Sequence, residues 1–250
     1  MLMALSTWQE IEAYLSRSTG IIVPIGSFEQ HGPNGLVGTD ALCPEIIANA
    51  GAADRDDILI APTFSVGCAQ HHLAFPGTIT LRPSTMIAAM TDWVASLRRH
   101  GFRRIYFLNG HGGNIATIQA AFSEIYADDS FSTDGPGNEA VKMTLRNWWD
   151  LSGIEKLCLE MYPKGHGSHA TPSEVSVTYF AYPEAVKSAS MEPEIAPSGP
   201  IRDAHDYRRR FPDGRIGSNP AQSSAQDGEK IVTAAAKALL DDYESFLSAT

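Results

Sequence analysis

Cationic side chains are scarce in this 250-residue chain: 19 Lys and Arg stand against 29 Asp and Glu, a formal charge of -10. Phosphate backbones are gripped by concentrated Lys and Arg, so a nucleic-acid partner is not expected. The one dense basic run, Arg208-Arg209-Arg210, is short and lies among Asp203, Asp206 and Asp213, which reads as a solvated or interface loop. Cysteine is scarce as well. Cys43, Cys68 and Cys158 are odd in number and share no CxxC or zinc-finger spacing. That argues against a disulfide framework and for free thiols in a reducing, cytoplasmic compartment. No apolar run approaches the roughly eighteen residues of a membrane span. The opening "MLMALSTWQEIEAYL" reaches acidic residues too early for a signal peptide. The phosphate-binding pattern GxxxxGK[ST] is missing, and there is neither an internal repeat nor a low-complexity tract.

What is there is an ordinary soluble composition, 43% hydrophobic and 19% charged, long enough to bury a substantial core. It reads as one domain spanning 1–250. Buried strands are expected at "GIIVPIG" (20–26), "DILIAPTF" (57–64), "RRIYFLNG" (103–110) and "AVKMTLRNWW" (140–149), with "GTITL" (77–81) as a short alternating segment. Helical periodicity covers 8–16, 41–50, 83–100, 114–127 and 225–247. The third of these has Pro83 near its start, basic residues in its last turn and Gly101 just past its end. Pro44 is placed in a first helical turn, where proline is tolerated. Residues 128–138 and 190–223 are rich in Gly, Pro, Ser and Asp and read as long loops. Strands alternating with helices imply an α/β fold, a mostly parallel central sheet covered on both faces.

Ligands of such sheets bind beyond the C-terminal strand ends. Two polar clusters follow strands. In "SFEQHGPNGLVGTD" (27–40), Glu29 and His31 are two apart and face the same side in extended backbone. Asp40 precedes a helix, where an N-cap role competes. In "NGHGGN" (109–114), His111 stands between glycines that permit a sharp turn. A dinucleotide-type GxGxxG fails there, because position 115 is Ile. A third cluster, "HGSHATPSEVS" (166–176), offers His166, His169 and Glu174. Singly, each has a bland explanation as a surface histidine or an early-turn helix acid. Together, Glu29, His31, Asp40, His111 and Glu174 make a mixed N/O set suited to Zn²⁺, Mn²⁺ or Fe²⁺, and numerous enough for two ions sharing a carboxylate.

"PIGSFEQHGPNGLVGTDAL", "HLAFPGTITL", "LNGHGGN", "SHATPSEVS" and "FPDGRIGSNPAQSSAQDGEKI" occur in the order found in the creatininase (creatinine amidohydrolase) family, which the chain resembles over about 20–245. The resemblance implies a three-layer α/β/α sandwich, a homo-oligomer (commonly a hexamer) and a metal-dependent amidohydrolase. Its cofactor would be two divalent ions, Zn first, with Mn or Fe as alternatives. Glu29, His31, Asp40 and His111 fall on family metal-ligand positions with Asp40 bridging, His169 on a catalytic proton-transfer histidine, and Glu174 on the acid of the same motif. A metal-activated bridging water would attack a non-peptide C–N bond, a cyclic amide or formamide of a small molecule.

Creatinine hydrolases carry Tyr and Glu after the "NGH" histidine, the Glu a ligand of the second metal. Here those positions are Gly112 and Gly113, and no Trp stands just upstream of His169, where Gly165 lies. That points to a branch other than creatininase proper, in which Glu174 completes the second metal site. The HGGN form is typical of branches that include a deformylase of a purine-derived formamide and peptide-maturation proteases. The backbone of Gly112 and Gly113 would serve an oxyanion, Trp148 or Trp149 would wall the pocket, and His72 would line an entrance or pack structurally. The alternatives are a nucleotide- or phosphate-binding regulatory module built on the GHGGN turn, and a family member that has lost catalysis.

Overall fold

The computed structural model describes residues 1–137 and 140–249. Three strands, β1 (Gly20–Ile25), β2 (Arg104–Asn109) and β3 (Lys142–Asn147), form a parallel sheet in the order β1-β2-β3. The register pairs Gly20 with Arg104 and Arg104 with Lys142. All six residues of β1 are buried, as its uninterrupted apolar run requires. Parallel neighbours need long crossovers. Helices α1 (Trp8–Leu15), α2 (Thr39–Gly51), α3 (Pro83–His100), α4 (Ile115–Phe131), α5 (Ile154–Met161), α6 (Pro172–Ala181), α7 (Ala204–Arg210) and α8 (Ala225–Ser248) supply them and close the chain.

Side chains alternate across the sheet with period two. Ile22, Tyr106 and Leu108 join α2, α5, α6 and α8 in one core through Ile47, Cys158, Val177 and Leu239. Ile21, Val23, Ile105 and Phe107 join α1, α3 and α4 through Tyr14, Met90 and Ile118 in the other. This is the expected three-layer α/β/α sandwich.

Segment 57–64 departs from expectation. It lies parallel to β1 but pairs only at two bridges, Ile22 with Ile60 and Ile25 with Phe64. Pro24 has no N–H to give, and the pairing advances three residues on β1 but four on its neighbour, a bulge in place of a strand. Helix α3 has its foreseen ends, Pro83 at the start and Gly101 at φ 108 after it. The 190–223 region carries α7, so the Arg208-Arg209-Arg210 run is helical. Arg202, Arg209 and Arg210 surround the buried Asp206, with Arg210 Nε 3.0 Å from its Oδ1, so the run is solvent-exposed as expected but sits on a helix in place of a loop. Helix α5 carried no expectation. Helix α4 runs to Phe131, past its expected end, and the tail of the 128–138 loop at position 138 lies outside the described residues.

Candidate active site

The polar residues after β1 and β2 converge at the C-terminal end of the sheet. Helix α2 begins at Thr39 with Gly38 as its N-cap, so Asp40 is not the cap but a first-turn residue with its carboxylate free to face inward. Pro44 stands one turn deeper than expected, inside the helix. Lacking an N–H, it leaves the Asp40 carbonyl without the usual helical partner. That carbonyl presses on two glycines. An added Cβ would lie 2.1 Å from it at Gly26 and 2.0 Å from it at Gly110.

Asp40 sits between two histidines: Oδ1 is 2.9 Å from His31 Nε2 and Oδ2 is 2.9 Å from His111 Nδ1. Glu29 adds a second buried carboxylate, with Oε2 3.3 Å from His111 Nε2 and Oε1 3.1 Å from His72 Nε2. His169 Nδ1 lies 3.6 Å from Glu29 Oε1. Glu174 stands at the edge, 4.0 Å from His31 Nε2, and its Oε1 accepts the Thr171 N–H at 2.5 Å in the capping box of α6. Gly112, Gly113 and Trp148 line the same cavity of about 610 Å³. His72 is buried within the cluster and not at an entrance. Every site residue proposed from the sequence except His31 lines this cavity, and His31 borders it through Asp40.

In the neutral form that binds a metal, backbone carbonyls, which only accept, settle where three of the rings carry hydrogen. His31 Nδ1 donates to the Glu29 carbonyl at 3.1 Å, His111 Nε2 to the Cys68 carbonyl at 3.0 Å, and His169 Nε2 to the Gln30 carbonyl at 2.8 Å. The nitrogens left with lone pairs are His31 Nε2, His111 Nδ1 and His169 Nδ1, and each faces a carboxylate. Asp40 Oδ2 is buried with no hydrogen-bond donor, although His111 Nδ1 is close. Lone pair facing lone pair across 2.9 Å is what a shared cation relieves, so the residues fit a divalent metal. Among the described residues, three overlapping trios bring ligand atoms within 4.8 Å: Glu29–His31–Asp40, Glu29–His71–His111 and Glu29–His72–His169.

Burial opposes charge throughout, and neighbours decide the outcome. Burial, then the Asp40 charge, pushes Glu29 well above the carboxylate range. Burial would raise Asp40 too, yet His31 and His111 hold it below its usual value. Burial would lower His31, but Asp40, Glu174 and Glu29 raise it to about 10. Burial raises Glu174 against the pull of His31. His169 is driven well below its ordinary value by burial and then by His31. A pocket with four acids, Glu29, Asp40, Glu155 and Glu174, and no Lys or Arg in its lining is by itself hostile to phosphate. That removes the physical basis for a phosphate-binding GHGGN turn.

Several contributors had no signature in the sequence. His71 stacks on His111 at 5.9 Å and 12°, and burial, followed by the His111 charge, lowers it to about 4. Asn109 brackets the His111 backbone, accepting its N–H at 3.1 Å and donating to its carbonyl at 2.7 Å. Asn114 ties the turn to Cys68 and Gly26. Arg215, fully buried, gathers the carbonyls of Pro193, Glu194 and Ser218 and so fixes the segment beside His169. His166 Nε2 meets Ser173 Oγ at 2.8 Å on the cavity wall, a partnership invisible in the HGSH spacing.

The family profile described as "Creatininase: Creatinine amidohydrolase" matches residues 4–242. The chain belongs to the creatininase family. This family comprises metal-dependent hydrolases. A "Creatinine amidohydrolase" of Pseudomonas putida is 28% identical over 195 residues, 72% of this chain and 71% of that protein. A "Mycofactocin precursor peptide peptidase" of Mycolicibacterium smegmatis is 33% identical over 106 residues, 40% of this chain and 42% of that protein. A solved creatinine amidohydrolase (creatininase) superposes with a TM-score of 0.86 at 24% identity, covering 100% of this chain and 98% of that one, a likeness of fold.

Proposed function

We propose that this chain is an amidohydrolase that breaks the C–N bond of an amide with the help of two divalent ions, zinc foremost, manganese or iron as alternatives. One observation carries the reading: the Asp40 carboxylate lies 2.9 Å from a lone-pair nitrogen of His31 on one side and of His111 on the other. Glu29, His31, Asp40 and His111 would hold the ions with Asp40 bridging, and Glu174 would complete the set by giving up its cap on α6. Bound there, the ions would supply Lewis acidity toward a carbonyl and acidify water toward neutrality.

The chain's own groups do the rest. His169, held by the Gln30 carbonyl, keeps Nδ1 open toward the cavity and carries the proton to the departing nitrogen. Gly112 and Gly113 bring bare backbone to the cavity wall where the carbonyl oxygen gains charge. Trp148 walls the substrate. The lining has no Lys or Arg, so a substrate carboxylate would have to be met by the ions or the histidines. A cyclic amide or formamide is the first reading. A peptide amide is the second, favoured by a cavity of about 610 Å³ and by the relative named as a peptide peptidase.

The test is an amide panel of cyclic amides, formamides and short peptides, run on zinc- and manganese-reconstituted protein beside Asp40→Ala and His111→Ala. Turnover should appear only with metal and fall by at least about 10²-fold in both variants. Undiminished turnover in metal-stripped Asp40→Ala would sink the reading. Cleavage of peptides alone would decide for the second reading.

A further inference from the structure

Among the histidines around Glu29 and Asp40, three are wired alike and His72 in the opposite sense. His31, His111 and His169 each give a ring hydrogen to a backbone carbonyl and turn a lone pair toward the acids. His72 has no such carbonyl. Its Nδ1 lies 3.1 Å from Gln30 Nε2.

The Gln30 amide is oriented by two backbone groups whose roles cannot change. The Gly32 N–H donates to Oε1 at 2.8 Å, and the Gly214 carbonyl lies 3.0 Å from Nε2. Exchanging the amide atoms would set donor against donor at Gly32 and acceptor against acceptor at Gly214. Nε2 therefore faces His72 as a donor. One Nε2 hydrogen goes to the Gly214 carbonyl, and the other is shared between His72 Nδ1 and the Tyr207 hydroxyl, 3.2 Å away, which gives its own hydrogen to the Gly214 carbonyl at 2.8 Å. The remaining close approach, 2.9 Å from Gln30 Nε2 to His169 Nε2, joins two donors, because His169 is committed to the Gln30 carbonyl. With Nδ1 accepting, the neutral His72 ring must carry its hydrogen on Nε2, and that atom stands 3.1 Å from Glu29 Oε1.

We infer that Gln30 makes His72 a positioning residue: it orients Glu29 by an N–H···O bond and is not a ligand of a cation, although its nitrogen lies within ligand range. The inference rests on the reading of Glu29 as a ligand. It removes the Glu29–His72–His169 trio from the set able to hold an ion and leaves the other two. It also gives Glu29 a donor on each oxygen, His72 on Oε1 and the Ser27 hydroxyl, 3.2 Å away, on Oε2. A carboxylate pinned at both oxygens presents one fixed face, as outer partners of metal ligands do.

The experiment is long-range 1H–15N correlation on protein labelled with 15N-histidine, zinc-free and then zinc-loaded, with the His72 signals identified by their loss in His72→Gln. His72 should be the Nε2–H form in both states and keep its Nε2 shift when zinc moves His31 Nε2 and His111 Nδ1. A Gln30→Glu variant offers only acceptors at that point. It should switch His72 to the Nδ1–H form and weaken zinc binding by about 10–100-fold. If Gln30→Glu does not fold, the wild-type spectra decide alone. A wild-type His72 carrying hydrogen on Nδ1, or an Nε2 that moves with zinc as His31 and His111 do, overturns the inference. Zinc that moves no ring at all defeats the metal reading and the positioning role with it, while the zinc-free spectrum still scores where the His72 hydrogen sits.

Discussion

Gly113 is glycine for want of space. A Cβ there would lie 2.3 Å from His111 Nε2 and 2.7 Å from the Cys68 carbonyl, the two atoms whose bond fixes the His111 ring. Gly112 beside it meets nothing within 4 Å, so the two glycines of HGGN have different reasons. The sequence suggested a sharp turn, yet neither residue adopts a positive φ. The difference predicts an asymmetry. Gly113→Ala should turn His111 away from Asp40 and reduce bound metal by about tenfold or more, while Gly112→Ala should retain it. Elemental analysis of the purified variants checks both. Equal metal content in the two would show that the His111 ring tolerates the intrusion.

At the scale of elements, α7 is held by one buried acid. Asp206 is 2% exposed and accepts from Arg202, Arg209 and Arg210. Burial works against its charge, but the arginines hold its carboxyl below the usual value of 3.8. A depressed folded-state value means stability present above the unfolded pKa and lost as pH falls through the folded one. Asp206→Asn should therefore lower the midpoint of thermal unfolding at pH 7, and its gap from the wild type should close as pH drops below about 4. A gap independent of pH would assign the loss to packing. The seven-residue helix carrying Asp206 lay hidden in a Gly-, Pro- and Ser-rich stretch, because, besides Asp206, it is held by Tyr207 packing between Phe75 and Phe211 and not by local propensity. Helix α3 was legible by contrast, since its stop signals and its apolar spacing agree. Segment 57–64 misled because Pro24, on the neighbouring strand, breaks the ladder.

For the molecule as a whole, the site exists only when distant stretches of chain meet. Residues 29–31 and 40, His111, His169 and Glu174 come from four places in the sequence, so the unfolded chain cannot offer the same cage. A cation that binds the folded form alone stabilises it by about 2.7 kcal/mol at one hundred times its Kd. At this size that is a rise in Tm of roughly 5–11 °C, reversible by a chelator and missing in Asp40→Ala. A Tm indifferent to zinc would contradict the metal reading. The same assembly explains what could be read in advance. Glu29, His31, Asp40 and His111 sit in motifs directly after strands or at a helix start, where sequence order predicts position. Gln30 lies in the first of these motifs, but its role depends on an amide turned by Gly32 and Gly214, and His71, His72 and Tyr207 enter through a short turn and a loop helix whose approach is set by tertiary packing.

The wedge of the Asp40 carbonyl between Gly26 and Gly110 has a practical corollary. Asp40 takes its coordinates from the ends of β1 and β2, and the excursion at 32–38 is tied into the same site: the Val37 carbonyl accepts the Glu29 N–H at 2.9 Å, Gly32 gives its own N–H to Gln30, and the buried Asn34 donates to the Pro220 carbonyl. Residues 32–38 do not line the cavity, whose outer wall comes from 148–174 and 199–216, so a search for new substrates belongs in those stretches, while a change of length at 32–38 would disturb Glu29 and Asp40 themselves.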